Sequence, residues 1–290
     1  MTTAPEKPTT TAPTEAWGGA TWTGPVDWPT IAGPSRVYDL AVRLEHGMTH
    51  HVAHPPYSYT LVKKHGEHNY PGGISSAMEL VTIPGHGGTH VDAPGHISLD
   101  GRISGGRDVL EHQSWTEGLA VGSVEELPPL LGPGHLVDGE ELFGRQMTNA
   151  DGFGADELEQ WFADRPAPTP GSVVLFRTGQ MRHWEDSERY LGIGVGLPGV
   201  ALSGARWLSE RGVRALGCDT ASFEHKPEWL VPALDVHVHL LVECAIPIME
   251  SVQLERLAAD GVREFFFVAS ALRIGGGSGS PLRPLAIVPA

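Results

Sequence analysis

The segment HGGTHVDAPGH, residues 86 to 96, constrains the fold more than any other part of the chain. It holds three histidines and one aspartate in eleven positions, together with glycines and one proline. Glycine and proline are both unfavourable in a helix interior, so a stretch that contains several of them predicts a turn. The segment is therefore either a hydrogen-bonded polar turn that leaves a strand or a metal site built on such a turn.

The polar side chains of this segment are of the types that bind divalent metals. His86 and His90 lie four positions apart, Asp92 follows two positions later, and His96 follows after four more. Imidazole nitrogens and carboxylate oxygens suit zinc or manganese, and a carboxylate such as Asp92 can bridge two ions. Because glycine permits tight backbone paths, several of these side chains can converge. The whole pattern favours a metal site over a polar turn.

Further ligands are expected from the segment HVHLLVECAIPIME, residues 237 to 250. His237 and Glu250 lie at the start and end of a predicted helix-to-strand unit. A buried and unpaired glutamate would be costly, so a metal partner would explain Glu250 if it lies inside. The alternative is a surface glutamate at a strand end. His239 and Glu243, four apart, are expected on a solvated helix face.

Apolar runs and helical periodicity alternate along residues 36 to 290, which predicts an α/β class and a single domain. Strands are predicted in AMELVTIPGH, GSVVLFRTG, VRALGCDTAS, EFFFVASALRI and LRPLAIVP. ADELEQWFADR predicts a helix that buries Leu158, Trp161 and Phe162. LSGARWLSERG predicts another, with Ser203 as N-cap and a stop at Gly212. The run GGGSGS, residues 275 to 280, predicts a flexible surface loop.

Residues 1 to 35 are rich in Thr, Pro, Ala and Gly. Such a segment buries too little apolar surface to offset the entropy lost on ordering, so the composition predicts a flexible N-terminal arm. Three tryptophans in the arm could clip it onto the domain or onto a partner subunit, namely Trp17, Trp22 and Trp28.

Charge and composition exclude several function classes. With 35 acidic and 20 basic residues the net charge is −15, which argues against nucleic acid and anionic membrane surfaces as partners. No run approaches the roughly 18 apolar residues of a membrane span, and the N-terminus lacks signal-peptide features. Two cysteines, Cys218 and Cys244, do not form a disulfide framework. These features predict a cytoplasmic protein.

The segment 86–96 matches the signature HxGTHxDxPxH, and through it the chain resembles the metal-dependent cyclase family, which includes bacterial kynurenine formamidases and isatin hydrolases. Further segments resemble the family in the family's order: VYDLAVRLEHGMTHHVAHPPYSYT, GSVVLFRTG, RWLSERGVRALGCDTASFE, HVHLLVECAIPIMESVQLERL and GGGSGSPLRPLAIV. The resemblance extends over about residues 36 to 290.

The resemblance implies a swivelling β/β/α fold, in which a mixed sheet or barrel carries flanking helices, and a homodimer or homotetramer. It implies one or two Zn²⁺ or Mn²⁺ ions per subunit. The ligands it implies are His86, His90, Asp92, His237 and Glu250, with Asp92 bridging if two ions bind. It further implies His96 as the general acid and base.

The activity implied is hydrolysis of a C–N or C–O bond in a small aryl amide, lactam or lactone by metal-activated water. Two alternatives are a metal-dependent cyclase of natural-product metabolism and a non-catalytic, metal-dependent small-molecule binding protein. His54, Tyr57 and Tyr59 are candidate substrate contacts, because an aromatic-flanked loop suits an aryl substrate. The loop departs from the Gly-Met-Pro of many relatives at Gly47–Thr49, which leaves the substrate open.

Overall fold

The computed structural model of the chain describes residues 33–67, 69–229 and 234–290. Residues 1 to 32 of the predicted arm, with its three tryptophans, lie outside the described residues. The strands in chain order are β1 (Ser35–Asp39), β2 (Ser58–Lys63), β3 (Asn69–Tyr70), β4 (Ile74–Ser75), β5 (Met78–Thr82), β6 (His90–Asp92), β7 (Arg102–Ile103), β8 (Arg107–Asp108), β9 (Gln113–Ser114), β10 (Gly118–Leu119), β11 (Leu130–Asp138), β12 (Gly152–Phe153), β13 (Val173–Arg177), β14 (Gly199–Val200), β15 (Ala215–Cys218), β16 (Ile248–Glu250), β17 (Glu264–Ala269), β18 (Gly279–Pro281) and β19 (Leu285–Pro289).

The helices connect these strands. They are α1 (Gly139–Phe143), α2 (Ala155–Phe162), α3 (Ser187–Tyr190), α4 (Leu202–Ser209), α5 (Asp235–His237), which continues into a π-helix (Val238–Glu243), and α6 (Glu255–Ala259). Short 3₁₀ turns lie at Pro71–Gly73, Ser104–Gly106, Val124–Glu126 and Gln180–His183. Within the described ranges, no helix has the length and apolar character needed to cross a bilayer.

One curled, mixed sheet of nine strands organises the fold, in the order β1-β19-β17-β11-β13-β15-β16-β6-β18. The four central strands β11, β13, β15 and β16 run parallel, and antiparallel strands flank them on both sides. A parallel strand covered on both faces has a continuous apolar sequence, which explains the run in β13. The structure confirms the α/β class with a mixed sheet and flanking helices.

Each face of the sheet has its own hydrophobic core, because successive side chains of a strand point to opposite faces. Val173 and Leu175 of β13 join the core beneath β1, β17, β19 and α6. Val174 and Phe176 join the second core, beneath α2, α4 and the π-helix. The predicted buried face of α2 is confirmed, since Leu158, Trp161 and Phe162 all lie in this second core.

The predicted N-cap of α4 is wrong. The helix begins at Leu202, after an Ala201 in extended conformation, so Ser203 lies inside the first turn. Its hydroxyl accepts a hydrogen bond from the backbone N–H of Ala155 at 3.3 Å, at the start of α2. Ser203 thus satisfies a free donor of the neighbouring helix instead of one of its own.

The strand predicted before the His-rich segment is present as β5, but it does not enter the main sheet. It pairs with β2 in a separate two-stranded hairpin. Large apolar side chains of this hairpin are exposed, among them Leu61, Val62, Met78, Leu80 and Val81. A two-stranded hairpin alone is at best marginally stable in water.

The glycine-rich run 275–280 is not a flexible surface loop, which corrects the prediction. Its end forms β18, which pairs with β6, and Gly279 and Ser280 are buried. A Cβ at Gly279 would lie 2.5 Å from Cε1 of His86 and 2.8 Å from the carbonyl oxygen of Val91. Glycine is therefore required here because another backbone and a site histidine approach closely.

Candidate metal centre

A short strand divides the His-rich segment, which was expected to form one continuous turn. His90 and Asp92 lie at the two ends of β6, in the main sheet between β16 and β18. Residues two apart on a strand point to the same face, so both side chains enter the site while Val91 packs into the core. The sheet, and not a loop, fixes these two side chains.

Glu250 reaches the site from the adjacent strand β16. It lies directly opposite His90 in the antiparallel pairing of the two strands. Glu250 Oε2 is 3.5 Å from His90 Nε2, and the glutamate is only 6% exposed. The alternative of a surface glutamate at a strand end is therefore excluded.

The turns before and after β6 bring two more histidines to Asp92. His86 Nδ1 is 2.6 Å from Asp92 Oδ1, and His96 Nε2 is 3.9 Å from Asp92 Oδ2. The rings of His86 and His96 lie against each other, with centroids 4.0 Å apart. Asp92 thus contacts both turns.

His237 approaches from the other side, at the end of α5. Its Nε2 is 3.3 Å from Glu250 Oε1 and 3.9 Å from Asp92 Oδ2. All six residues proposed from the sequence for metal binding and acid–base chemistry therefore lie at one place in the fold. Asp92 is at the middle, with histidines close to both of its carboxylate oxygens.

The donor set fits a divalent metal. His86, Asp92 and His96 offer three ligand atoms within 4.8 Å of one another, and so do His90, Asp92 and Glu250. The two sets share Asp92, as a bridging carboxylate would require. Every donor is an imidazole nitrogen or a carboxylate oxygen, which suits zinc or manganese. The position of His96 allows two roles, that of a metal ligand and that of a proton acceptor.

The electrostatics of the buried groups agree with a cation at this place. Burial lowers the pKa of His90, but Glu250 and Asp92 outweigh it and raise the pKa to about 9. Burial likewise lowers the pKa of His237, but Glu224 and Glu250 raise it to about 10. Protons on these histidines therefore neutralise the buried carboxylates when no metal is bound, and a divalent ion would supply the same charge.

His96 differs from the other histidines of the centre. Burial lowers its pKa to about 4, and the opposing effect of Asp92 is smaller. Its side chain is 26% exposed, whereas the side chains of His86, His90 and His237 are 10% exposed or less. A neutral imidazole with partial access to solvent can accept a proton from a bound reactant.

Each of the three histidines proposed as ligands has its second ring nitrogen held by a protein group. His90 Nδ1 donates to the Gly88 carbonyl at 2.8 Å, and His86 Nε2 is 2.9 Å from Ser278 Oγ. His237 Nδ1 is 2.5 Å from the carboxylate of Glu224. Glu224 and Ser278 were not predicted from the sequence as members of the site.

A small cavity leads to the centre between the loop after β1 and the segment around α3. Beside site residues it is lined by Thr49, His51, His54, Trp184, Tyr190 and Leu191. His54 Nδ1 donates to the backbone carbonyl of His86 at 3.2 Å. Burial lowers the pKa of His51 and of His54, which favours neutral imidazoles along this wall.

The other two candidate substrate contacts lie elsewhere. The Tyr57 ring lies beside His46, with centroids 6.1 Å apart, and Tyr59 is a half-exposed residue of β2. Among the described residues, neither tyrosine lines the cavity. Trp184 and His51, which were not predicted from the sequence, line the cavity beside the centre instead of these tyrosines.

The pair His239 and Glu243 lies outside the centre. His239 Nδ1 is 2.7 Å from Glu243 Oε2, and Glu243 is 54% exposed. Glu243 is therefore solvated, as the spacing predicts, but the side chain of His239 is only 12% exposed and its Nε2 lies 2.9 Å from Ser209 Oγ.

Comparison with protein families gives one match over most of the chain. The family model named Cyclase, described as a putative cyclase, matches residues 38–225. The match contains the His-rich segment and ends just after Glu224.

A kynurenine formamidase from Bacillus anthracis is 25% identical over 252 residues, which cover 86% of this chain and 96% of the relative. A solved structure of a novel cyclase is similar with a TM-score of 0.79 and 25% identity, over 87% of this chain and 88% of the other. Isatin hydrolase A from Ralstonia solanacearum shares the fold with a TM-score of 0.70 and 24% identity, over 93% of this chain and 100% of the other.

Proposed function

The chain belongs to the cyclase family, and from that premise we propose that it is a metal-dependent hydrolase of a small aryl amide, lactam or lactone. It is an enzyme of the class that hydrolyses non-peptide C–N bonds, as is the kynurenine formamidase that it resembles. The identity of the ion, the number of ions per subunit and the substrate are more specific than this class, and they are part of the proposal.

One observation carries the proposal: two sets of donor atoms share Asp92, and the more exposed histidine, His96, belongs to one of these sets together with His86. We propose His86, His90, Asp92, His237 and Glu250 as the ligands, with Asp92 shared if two ions bind. The site takes one or two ions of Zn²⁺ or Mn²⁺. When bound, such an ion supplies Lewis-acid chemistry that makes water nucleophilic near neutral pH and polarises a carbonyl group.

His96 is the proposed general base and acid. Its Nε2 takes a proton from the attacking water as the oxygen–carbon bond forms. It then gives the proton to the leaving nitrogen or oxygen as the C–N or C–O bond breaks. For an amide, the products are a carboxylic acid and an amine, so atoms and charges balance. His96 Nε2 lies 3.9 Å from Asp92 Oδ2 and therefore faces the centre.

The cavity wall supports an aryl substrate. Trp184 and Tyr190 pack edge to face with centroids 5.0 Å apart, which gives the wall a rigid aromatic surface. The neutral imidazoles of His51 and His54 add polar groups that can orient a carbonyl or an amide. We propose these two histidines as substrate contacts ahead of Tyr57 and Tyr59.

The test is a hydrolysis screen with metal-loaded protein. N-formylkynurenine, isatin and simple aryl lactones are incubated with the Zn²⁺ and Mn²⁺ forms, and the products are separated by chromatography. We expect turnover of at least one aryl amide, lactam or lactone. Metal binding without turnover of any of them would contradict the hydrolase proposal in favour of the cyclase or binding alternatives.

His96→Ala separates the two roles that the geometry allows for His96. A general base contributes on the order of 10²–10⁴ in rate, so the variant should lose that factor while it binds as much metal as the wild type. Loss of metal together with activity would instead make His96 a ligand.

We also propose a homodimer or homotetramer. The exposed apolar side chains of the β2–β5 hairpin support this, because a contact between subunits would remove them from water. A cytoplasmic location remains an expectation from composition.

A further inference from the structure

We propose that Glu224 is a positioning residue that determines how tightly the His237 side of the centre binds its ion. This inference rests on the proposed metal-dependent function, which it deepens. Glu224 lies in the connection after β15 and is only 3% exposed. It is thirteen positions before His237, and the fold brings the two together.

Glu224 holds His237 by two hydrogen bonds to one oxygen. Its Oε1 accepts from the backbone N–H of His237 at 2.8 Å and lies 2.5 Å from Nδ1 of the same residue. An ionised carboxylate only accepts hydrogen bonds, so the proton of this contact is on Nδ1. The carboxylate thereby fixes both the tautomer and the rotation of the ring.

The other ring nitrogen consequently points to the centre. His237 Nε2 lies 3.3 Å from Glu250 Oε1 and 3.9 Å from Asp92 Oδ2. With the proton on Nδ1, the lone pair of a neutral ring is on Nε2, which is the arrangement of a metal ligand. Loss of the Glu224 contact would free the ring to rotate and to change its tautomer.

The charge of Glu224 distinguishes it from the groups that hold the other two histidines. At the ring nitrogens that do not face Asp92 or Glu250, His90 is held by a backbone carbonyl and His86 by the Ser278 hydroxyl, and both of these groups are neutral. A carboxylate behind an imidazole makes the ligand more basic, and removal of such a partner typically weakens metal binding by about 10–100-fold. The His237 side of the centre should therefore depend on its supporting group more than the His86 side does.

The chain also contains a matched control. Glu243 holds Nδ1 of His239 at 2.7 Å in the same type of contact, but it is exposed and outside the centre. The change Glu243→Gln removes the same charge from the same kind of pair. Ser278→Ala removes the neutral partner of His86.

The experiment measures Zn²⁺ affinity by competition with a chromophoric chelator for the full-length wild type, E224Q, E243Q and S278A. It also records the absorption spectrum of the Co²⁺-loaded proteins, which reports the ligand geometry. We expect E224Q to bind one ion about 10–100-fold more weakly with an altered Co²⁺ spectrum, S278A to change less, and E243Q to match the wild type. Wild-type affinity and spectrum in E224Q would overturn the proposal.

A second measurement uses the wild type alone and does not depend on how well E224Q folds. Proton–nitrogen NMR spectra of histidine-labelled protein, with and without Zn²⁺, report which ring nitrogen carries the proton. We expect His237 to keep its Nδ1 proton when the metal binds, and loss of that proton would refute the assignment. If the wild type binds no divalent ion, the proposed function itself fails, which is a different result from wild-type binding in E224Q.

Discussion

Gly279→Ala is a sensitive test of how the sheet builds the centre. Strand β18 passes so close to His86 that the new Cβ would lie 2.5 Å from Cε1 of its ring. Carbon atoms in contact prefer about 3.5 Å or more, so the ring or the strand must move by about 1 Å. A displacement of that size near reacting groups can lower the rate on the order of 10²-fold. Overpacking should also destabilise the fold by about 1–3 kcal/mol.

The assay compares kcat/KM at saturating metal, Zn²⁺ affinity and thermal unfolding for wild type, Gly279→Ala and Gly275→Ala. Gly275 is in the same run, but a Cβ there would meet nothing closer than Glu125 Oε1 at 3.7 Å. We expect Gly275→Ala to behave like the wild type and Gly279→Ala to lose activity and metal affinity while it still folds. Unchanged activity and affinity in Gly279→Ala would refute the claim that β18 fixes His86.

Three further predictions concern stability and assembly. Hydrogen bonds from Arg145 hold the pKa of Asp151 well below its usual range, so this pair stabilises the fold above the unfolded pKa near 4 and loses its effect as the pH falls further. Asp151→Asn should therefore lower the melting temperature at pH 7, and the difference from wild type should shrink below about pH 4 in thermal scans; a constant difference would contradict this sign. Leu158→Ala should lower the free energy of unfolding, measured by urea denaturation, by about 2–5 kcal/mol, because Leu158 is fully buried. The same variant should leave the Zn²⁺ affinity unchanged, and a loss of affinity would mean that α2 shapes the centre. Leu80→Lys should shift light-scattering mass toward the monomer if the hairpin lies in a subunit contact, and an unchanged oligomer would exclude that contact.

The sequence was sufficient to predict the strands β13, β15, β17 and β19 and the helix α2. The strands β13, β15, β17 and β19 are marked in the sequence by apolar runs, and Leu158, Trp161 and Phe162 follow helical spacing. These patterns are visible in the local sequence because burial in a large core requires apolar residues at these positions.

The short strands at the centre were not predictable in the same way. β6 has three residues between glycine- and proline-rich turns, so no periodic signal identifies it. In the run 275–280 the glycines indicated flexibility, whereas Gly279 is there because β18 passes against His86. Composition does not distinguish a glycine that permits motion from one that permits close approach.

His86, His90 and Asp92 were predicted because they form a compact motif, and His237 and Glu250 were predicted from a second segment and the family resemblance. The groups that support these ligands were not predicted. Glu224 and Ser278 act through contacts with His237 and His86 that only the tertiary fold creates. Tyr57 and Tyr59 illustrate the reverse case, because nearness in sequence to His54 did not place them at the cavity. The sequence was therefore sufficient to predict the ligands, whereas the groups that orient these ligands are determined by the tertiary fold.

The most direct test of the central claim is the metal dependence of hydrolysis. Protein stripped with a chelator should lose its activity on the aryl substrate found in the screen. Stepwise addition of Zn²⁺ or Mn²⁺ should restore activity, saturating at one or two ions per subunit. Full activity in protein shown by elemental analysis to be free of metal would contradict the account.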